Sequence, residues 1–248
     1  MTTTTTPADD ALPLTEAMRK ATKGVHDVSD KLVNLKLLVA LTNERLYGQA
    51  LLLFYYIYVQ IESSLQAKKD HVALKGLAEI FPEFKRADAI EADLKHYLGE
   101  DWDKKYKPTP AVIAYVERIK HAEKENPYLL LSYSYHMYAA ILAGGQMIRK
   151  MVSKSFELPE GVGLSTFDYK TSRMVVRSAL KDKINAVEVD DATKQLILQE
   201  SVRVFQMNNQ LVRSIEGAGR QLVLWVCKWL IALSMIYWTY MLFVKGTK

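Results

Sequence analysis

The sequence has a single cysteine, Cys227, among 248 residues, and only 11 glycines and 7 prolines. One cysteine excludes an internal disulfide, and the absence of a CxxC pair or a Cys/His cluster argues against a zinc site. The chain also lacks a GxxxxGK[ST] loop, a GxGxxG turn and a GxSxG elbow. Nucleotide hydrolysis, Rossmann-type dehydrogenation and α/β-hydrolase chemistry are therefore disfavoured, and a reducing compartment is expected.

The overall composition is that of an ordinary globular protein, with 49% hydrophobic and 25% charged residues. This excludes a disordered tail protein, a collagen-like repeat and a small disulfide-rich scaffold. The 33 Lys and Arg residues exceed the 28 Asp and Glu residues, giving a formal net charge of +5. Because the basic residues alternate with acidic ones and form no recognised motif, we expect no nucleic-acid partner.

The spacing of apolar residues predicts one all-α domain over residues 14–218. Residues 1–13 are polar and of low complexity, and we expect a disordered leader there. Breaks are expected at Phe81-Pro82, between Gly99 and Pro108, at Asn126-Pro127 and near Pro159. Apolar residues at three- and four-residue spacing predict helices near 14–38, 43–68, 86–98, 109–125, 128–153, 168–186 and 190–217.

Residues 222–244 are almost wholly apolar, with Lys228 as the only charge. At about 1.5 Å per residue, such a segment is long enough to cross a bilayer core of about 30 Å. Its Trp and Tyr residues favour a membrane interface over the alternative, a buried amphipathic helix. We therefore predict a C-terminal transmembrane anchor with the globular domain in the cytosol.

The first predicted helix carries Arg19, Lys23, His26 and Asp30 at spacings of four, three and four residues. These side chains form one stripe beside the apolar face of the helix. An imidazole at such a boundary suits an axial metal ligand, with the cations placed to meet ligand carboxylates. The alternative is a solvated charged face with an incidental histidine.

Two consecutive glycines, Gly144 and Gly145, interrupt the strongly helical segment from Tyr128 to Val152. Each interior glycine costs about 0.5–1 kcal/mol relative to alanine. Their presence indicates a kink or the close approach of a flat ligand to the backbone; tight packing against a neighbouring helix is the alternative.

Taken together, several strings resemble the heme oxygenase family: KATKGVH at 20–26, FPEFKRADAIEADLKHYLG at 81–99, TPAVIAYVERI at 109–119, LAGGQ at 142–146 and NNQL at 208–211. The apolar C-terminus resembles that of the animal, membrane-anchored enzymes. The resemblance implies a helical fold that holds heme b, both prosthetic group and substrate, between the first helix and the glycine-containing helix. Heme would be opened to biliverdin with release of CO and ferrous iron, using O2.

The partners implied by this resemblance are NADPH-cytochrome P450 reductase, as the source of electrons, and biliverdin reductase. The implied location is the endoplasmic reticulum membrane, with the catalytic domain facing the cytosol. The positive net charge suits heme propionates and an acidic reductase surface.

Site residues follow from the matching positions. His26 resembles the proximal iron ligand, and Asp30 stands where the family usually has a glutamate near that histidine. The positions that match basic residues around the propionates are Arg19, Lys23, Arg177 and Lys181. Tyr58 and Tyr135 match tyrosines of the pocket, Gly144 matches a glycine over the distal heme face, and Phe205 matches a pocket aromatic.

The distal helix departs from the family pattern at three positions. Ile141 replaces the distal aspartate, Ala140 the preceding glycine, and Met137 a nearby arginine. Isoleucine neither donates nor accepts a hydrogen bond, so we expect a slower or less regioselective reaction. His136 either supplies a substitute proton route or points away from the ligand. The alternatives to an enzyme are a non-catalytic heme sensor or buffer on the same fold, and a membrane-tethered partner protein that has lost heme.

Overall fold

The computed structural model describes residues 12–215 and 234–235, apart from the side chains of residues 27–31 and 33. The predicted all-α fold is confirmed for residues 12–215, where no strand occurs. Between Leu14 and Arg213, short 3-10 turns at Pro127–Leu129 and Ser165–Phe167 accompany ten α-helices. These helices are α1 (Leu14–Ala21), α2 (Lys23–Ala40), α3 (Glu44–Ala67), α4 (Lys75–Phe84), α5 (Ala87–Leu98), α6 (Trp102–Lys105), α7 (Pro110–Glu125), α8 (Leu130–Ser155), α9 (Arg173–Asn185) and α10 (Asp191–Arg213).

Side-chain caps fix the start of three long helices. Asn43 accepts a hydrogen bond from the Leu46 amide at the start of α3, and Asp190 accepts one from the Thr193 amide before α10. Thr109 does the same for Val112 in α7, with Pro110 at the first helical position. Each cap satisfies an amide that has no partner within its helix.

The helix predicted over 14–38 is divided in two at Thr22. The buried Thr22 hydroxyl donates to the Met18 carbonyl oxygen at 2.9 Å and to that of Arg19 at 3.2 Å. A hydroxyl that binds the preceding turn competes with the regular backbone pattern, which explains the joint between α1 and α2.

The predicted break at Phe81-Pro82 was wrong, because Pro82 lies inside α4. Proline cannot donate to the preceding turn, but it stands two residues before the helix ends, where few further bonds are lost. Phe84 and Leu77 are fully buried, and their packing holds this short helix in place. The helix predicted from residue 168 begins later, at Arg173.

Helix α10 packs against α1, α2, α7 and α8, while α3 packs against α5, α7 and α8. The first half of α8 runs through this core, and Leu130–Tyr138 is buried without interruption. Burying one large apolar side chain contributes about 1.5–3 kcal/mol, so this half of α8 is firmly held. Solvent-exposed side chains occur on α8 only from Ala140 onward.

The predicted leader and anchor lie largely outside the described residues, which begin at Leu12 and include only Ser234 and Met235 beyond Ile215. Within that described part, no helix combines the length and the apolar run needed to cross a membrane. The prediction for residues 222–244 is therefore untested.

A buried carboxylate joins α7, α8 and α10. Glu200 is 3% exposed and accepts hydrogen bonds from two nitrogens of the Arg118 guanidinium and from the Tyr133 hydroxyl. Burial beside this carboxylate raises the pKa of Tyr133, so the phenol stays protonated and donates.

We expect Glu200→Gln to lower the free energy of unfolding by about 2–4 kcal/mol, because it removes the buried negative charge to which Arg118 and Tyr133 both donate hydrogen bonds. Urea unfolding followed by circular dichroism measures this. Glu117→Gln is the matched control, since Glu117 forms an exposed ion pair with Lys120 on α7. An equal effect for the two variants would contradict this account of the core.

Candidate functional site

A cleft of about 450 Å3 opens beside α1 and the start of α2. Its walls carry three cationic side chains and one imidazole, and its lining residues are Leu12, Glu16, Arg19, Lys20, Lys23 and His26. The stripe predicted from the sequence therefore borders a cavity rather than a flat solvated face. The side chain of Asp30, the fourth member of that stripe, lies outside the described residues.

The His26 imidazole is exposed at the cleft and lies against the half-buried ring of Phe205 on α10. The two ring centroids are 5.5 Å apart, with the rings tilted by 56°. Phe205 therefore supports one side of the imidazole, and the ring also lines the cleft. This arrangement suits an axial ligand to a metal.

The second half of α8 presents an open face formed by Ala140, Ala143, Gly144 and Met147. Their three- and four-residue spacing places them on one side of the helix. A Cβ added at Gly144 would meet nothing within 4 Å, whereas one added at Gly145 would lie 3.2 Å from the Phe167 ring. The two glycines thus serve different purposes: Gly145 permits tight packing, and Gly144 leaves room for a ligand.

Cations on two helices act electrostatically on the hydroxyl of Tyr135. The guanidinium groups of Arg177 on α9 and Arg19 on α1 both act to lower the pKa of Tyr135, although burial dominates and raises it. Lys181 follows Arg177 by one turn, and both are exposed. The structure thus gathers Arg19, Tyr135 and Arg177 into one cationic region, with Lys181 next to it on α9.

Tyr58 lies elsewhere, in the core between α3 and α8. It is buried, and its hydroxyl donates to the Met137 carbonyl oxygen at 3.0 Å. Its role visible in the structure is to hold the α8 backbone.

Glu62 was missed by the sequence analysis, because nothing in its spacing along α3 marks it. Its carboxylate accepts hydrogen bonds from the Arg86 and Ala87 amides and from the Tyr138 hydroxyl. Burial raises the pKa of Glu62, while these donors oppose the shift. Glu62 and Tyr58 thus fix adjacent residues of α8.

The positions that depart from the family pattern have apolar surroundings. Ile141 is half-buried and packs against the core. The Met137 sulfur lies 3.9 Å from the Tyr115 hydroxyl and 3.6 Å from the Asn208 side-chain nitrogen, and Tyr115 donates to Asn208 at 3.0 Å. Neither Met137 nor Ile141 provides an acid that delivers protons to the open face of α8.

His136 is buried, and its Nε2 has no hydrogen-bond partner. Its ring lies 5.0 Å from Phe205, the same ring that His26 contacts. Burial, and to a lesser degree the nearby His26, lowers the pKa of His136 to about 3, so the ring is neutral near pH 7. A ring this difficult to protonate is a poor proton relay.

Among the described residues, no three His, Cys, Asp or Glu side chains are grouped to bind a bare metal ion. A single imidazole suits a metal whose remaining ligands come from its own macrocycle. The open face of α8 and the cationic region add the requirements of a flat, largely apolar ligand with anionic groups at one edge.

Residues 12–214 match the family model described as Heme oxygenase. The chain is 27% identical over 209 residues to heme oxygenase 2 of Synechocystis sp., covering 82% of this chain and 83% of that protein. It is 30% identical over 211 residues to heme oxygenase 1 of Gallus gallus, covering 82% and 70%.

Solved structures agree with this match. Heme oxygenase 2 from Chlamydomonas reinhardtii, without heme, superposes with a TM-score of 0.79 at 29% identity, covering 82% of this chain and 98% of that chain. Heme oxygenase-1 from Synechocystis sp., in complex with heme, gives 0.80 at 26% identity, covering 88% and 100%.

The buried neutral state of His136 predicts a pH-dependent stability. Because its folded pKa lies below the ordinary value near 6.5, stability is fully present above about pH 6.5 and is lost as the pH falls toward 3. Between pH 7 and 5 we expect wild type to lose about 2 kcal/mol more than His136→Leu. Denaturant unfolding at these pH values measures the difference, with His121→Leu as a control for losing an exposed imidazole. Parallel pH profiles for wild type and His136→Leu would contradict the burial.

Proposed function

This chain belongs to the heme oxygenase family, and from that premise we propose how its own residues bind heme and direct the reaction. When bound, heme supplies both the iron that activates O2 and the porphyrin that is opened to biliverdin, with release of CO and ferrous iron. The electrons come from NADPH through a reductase. The observation that carries the proposal is the exposed imidazole of His26 beside a cationic cleft.

Residues of the cleft and of the open face of α8 fit heme. His26 offers a nitrogen for the iron, and Phe205 limits the rotation of its ring. The missing side chain at Gly144 leaves the space that a flat macrocycle requires, and the apolar open face of α8 suits the porphyrin. We assign the proximal ligand to His26 and the close approach to Gly144.

The propionates are assigned to the cationic region. Arg19, Lys23, Arg177 and Lys181 supply positive charge, and the raised pKa of Tyr135 keeps its hydroxyl as a donor. An arginine can bind a carboxylate through two parallel hydrogen bonds, whereas a lysine acts as a point charge. Arginine at positions 19 and 177 therefore favours a more fixed orientation of the propionates.

Proton delivery is where this chain differs from its family. Ile141 cannot hold an ordered water by hydrogen bonding, and Met137 replaces a charged donor with a thioether. The neighbouring side of α8 is consequently apolar. We propose that the enzyme is slower or less regioselective than one with an aspartate at position 141.

We also propose that the enzyme is of the animal, membrane-anchored type. The support is the apolar composition of residues 222–244 and the interfacial Trp and Tyr residues within them. Location at the endoplasmic reticulum, with the domain in the cytosol, would place the cleft beside membrane-bound NADPH-cytochrome P450 reductase. Biliverdin reductase is the proposed consumer of the product.

Reductase-coupled turnover tests the function. The full chain in detergent receives one equivalent of heme, then NADPH, P450 reductase and catalase, while the Soret and bilin absorbances are followed. We expect loss of the Soret band with formation of biliverdin, identified by chromatography, and release of CO. A stable Soret band under the same electron supply would instead show a heme sensor or buffer, and no Soret shift on heme addition would exclude both.

Ile141→Asp tests whether the apolar side chain at position 141 limits proton delivery. A positioned proton donor typically raises a reaction rate by about 10²–10⁴-fold. We expect a smaller gain, of about 10- to 100-fold in the rate of biliverdin formation, because Met137 still keeps the surroundings apolar. Ile141→Asn is the matched control, since its amide is polar but does not ionise. Equal rates for Asp, Asn and wild type would show that position 141 does not limit proton delivery.

Gly144→Ala separates folding from ligand binding. Without heme, we expect the variant to be about 0.5–1 kcal/mol more stable, because alanine favours the helix and its methyl group enters open space. Heme affinity should fall, since the methyl group occupies the space assigned to the porphyrin. Gly145→Ala is the control: its methyl group would crowd Phe167, so the gain in stability should be absent. Unchanged heme affinity in Gly144→Ala would remove Gly144 from the site.

A further inference from the structure

His136 is a buried polar group whose structural role is not explained by the fold. Its side chain is 9% exposed, and Nε2 is shielded from solvent without any hydrogen-bond partner. An unsatisfied buried nitrogen costs about 1–3 kcal/mol, so such a group in a native protein calls for an explanation. Its neighbours suggest one.

Two imidazoles meet at one phenyl ring. Phe205 on α10 lies 5.5 Å from the His26 ring on α2 and 5.0 Å from the His136 ring on α8. His136 also contacts Tyr135, whose ring lies 4.9 Å away. Both imidazoles therefore border the same side chain of α10.

His136 is poorly placed to bind iron itself. It precedes Gly144 by eight residues, which corresponds to about 12 Å along an α-helix. Side chains on a helix also lean toward its N-terminus, which takes the His136 ring farther from Gly144. A role beside the proximal ligand is therefore favoured over a role on the open face of α8.

We propose that His136 is a positioning residue for His26, with its imidazole accepting, directly or through one water, the hydrogen bond that His26 Nδ1–H donates when His26 Nε2 binds heme iron. This inference rests on the proposed function, because it assigns His26 to the iron. It requires no proton transfer, because an unprotonated imidazole nitrogen accepts a hydrogen bond.

The proposed hydrogen bond would fix the orientation of the His26 ring. A histidine that binds a metal almost always donates its other N–H to an acceptor, which fixes the ring and raises its basicity. An acceptor on α8 also joins α2 to α8, the two helices assigned to the ligand.

The test uses the full chain loaded with heme and compares His136→Leu with wild type. We expect the Fe–His stretching frequency of the ferrous form to fall in resonance Raman spectra, because the hydrogen bond that strengthens the ligand is lost. The Fe(III)/Fe(II) potential should also rise. A less basic imidazole donates less charge to the iron, and the ferric state is therefore stabilised less relative to the ferrous state. Heme affinity should fall about 10- to 100-fold, the usual effect of removing such a partner.

His136→Gln supplies the conservative comparison, because its carbonyl oxygen can accept the same hydrogen bond. We expect it to recover part of the frequency and of the heme affinity. His121→Leu, which removes an exposed imidazole on α7, should leave both at wild-type values. A purely structural role for His136 would lower the melting temperature without moving the Fe–His frequency.

Three results would overturn the inference. An unchanged Fe–His frequency in a folded His136→Leu protein would do so, as would a shift seen with Asp30→Asn but not with His136→Leu. Failure of the wild-type chain to bind heme would overturn the proposed function as well, whereas the first two results leave heme binding and turnover intact. The two proposals are therefore distinguishable.

Discussion

The hydrogen bonds that hold α8 to the core decide what the rest of the molecule can do. Tyr58 binds the carbonyl of Met137, the Tyr138 hydroxyl binds Glu62, and the Ser132 hydroxyl donates to Ile197 on α10 at 2.9 Å. All three bonds hold the first half of α8, where Leu130–Tyr138 is buried without interruption. The second half of α8 is held by Arg173, which donates to the Leu142 carbonyl oxygen at 3.3 Å, and by Gln146, which donates to the Phe167 carbonyl oxygen at 3.2 Å. Because both halves are held in this way, the open face of α8 does not need a neighbouring helix for support. A helix held by these hydrogen bonds can leave one face uncovered and remain ordered.

This constraint also explains why the altered distal residues are tolerated. Met137 keeps its backbone bond to Tyr58 whatever its side chain is, and its sulfur fills the space beside Tyr115 and Asn208. Ile141 adds apolar contact with the core. The substitutions therefore cost little in folding, and their consequences fall on the chemistry at the open face.

The sequence predicted the elements whose signals are local. Thr109-Pro110 marked the start of α7, and apolar spacing located α3, α8 and α10 closely. The error at Pro82 arose because a proline near a helix end costs less than one in the middle, and the packing of Phe84 is not visible in a local pattern. The position of His136 beside His26 depends on how α2 and α8 meet α10. No spacing within one helix contains that information, and the resemblance offered no matching residue for it.

The joint at Thr22 separates two kinds of wall in the cleft. Before it, α1 carries Arg19, which is 74% exposed; after it, α2 carries His26, which leans on Phe205. Exposed charges attract an anionic ligand across several ångströms of solvent and are screened by salt, whereas a coordinate bond acts only at contact. Capture by charge and retention by coordination are thereby assigned to different side chains: ionic strength should change the association rate of the ligand, and the lifetime of the complex should depend on the imidazole.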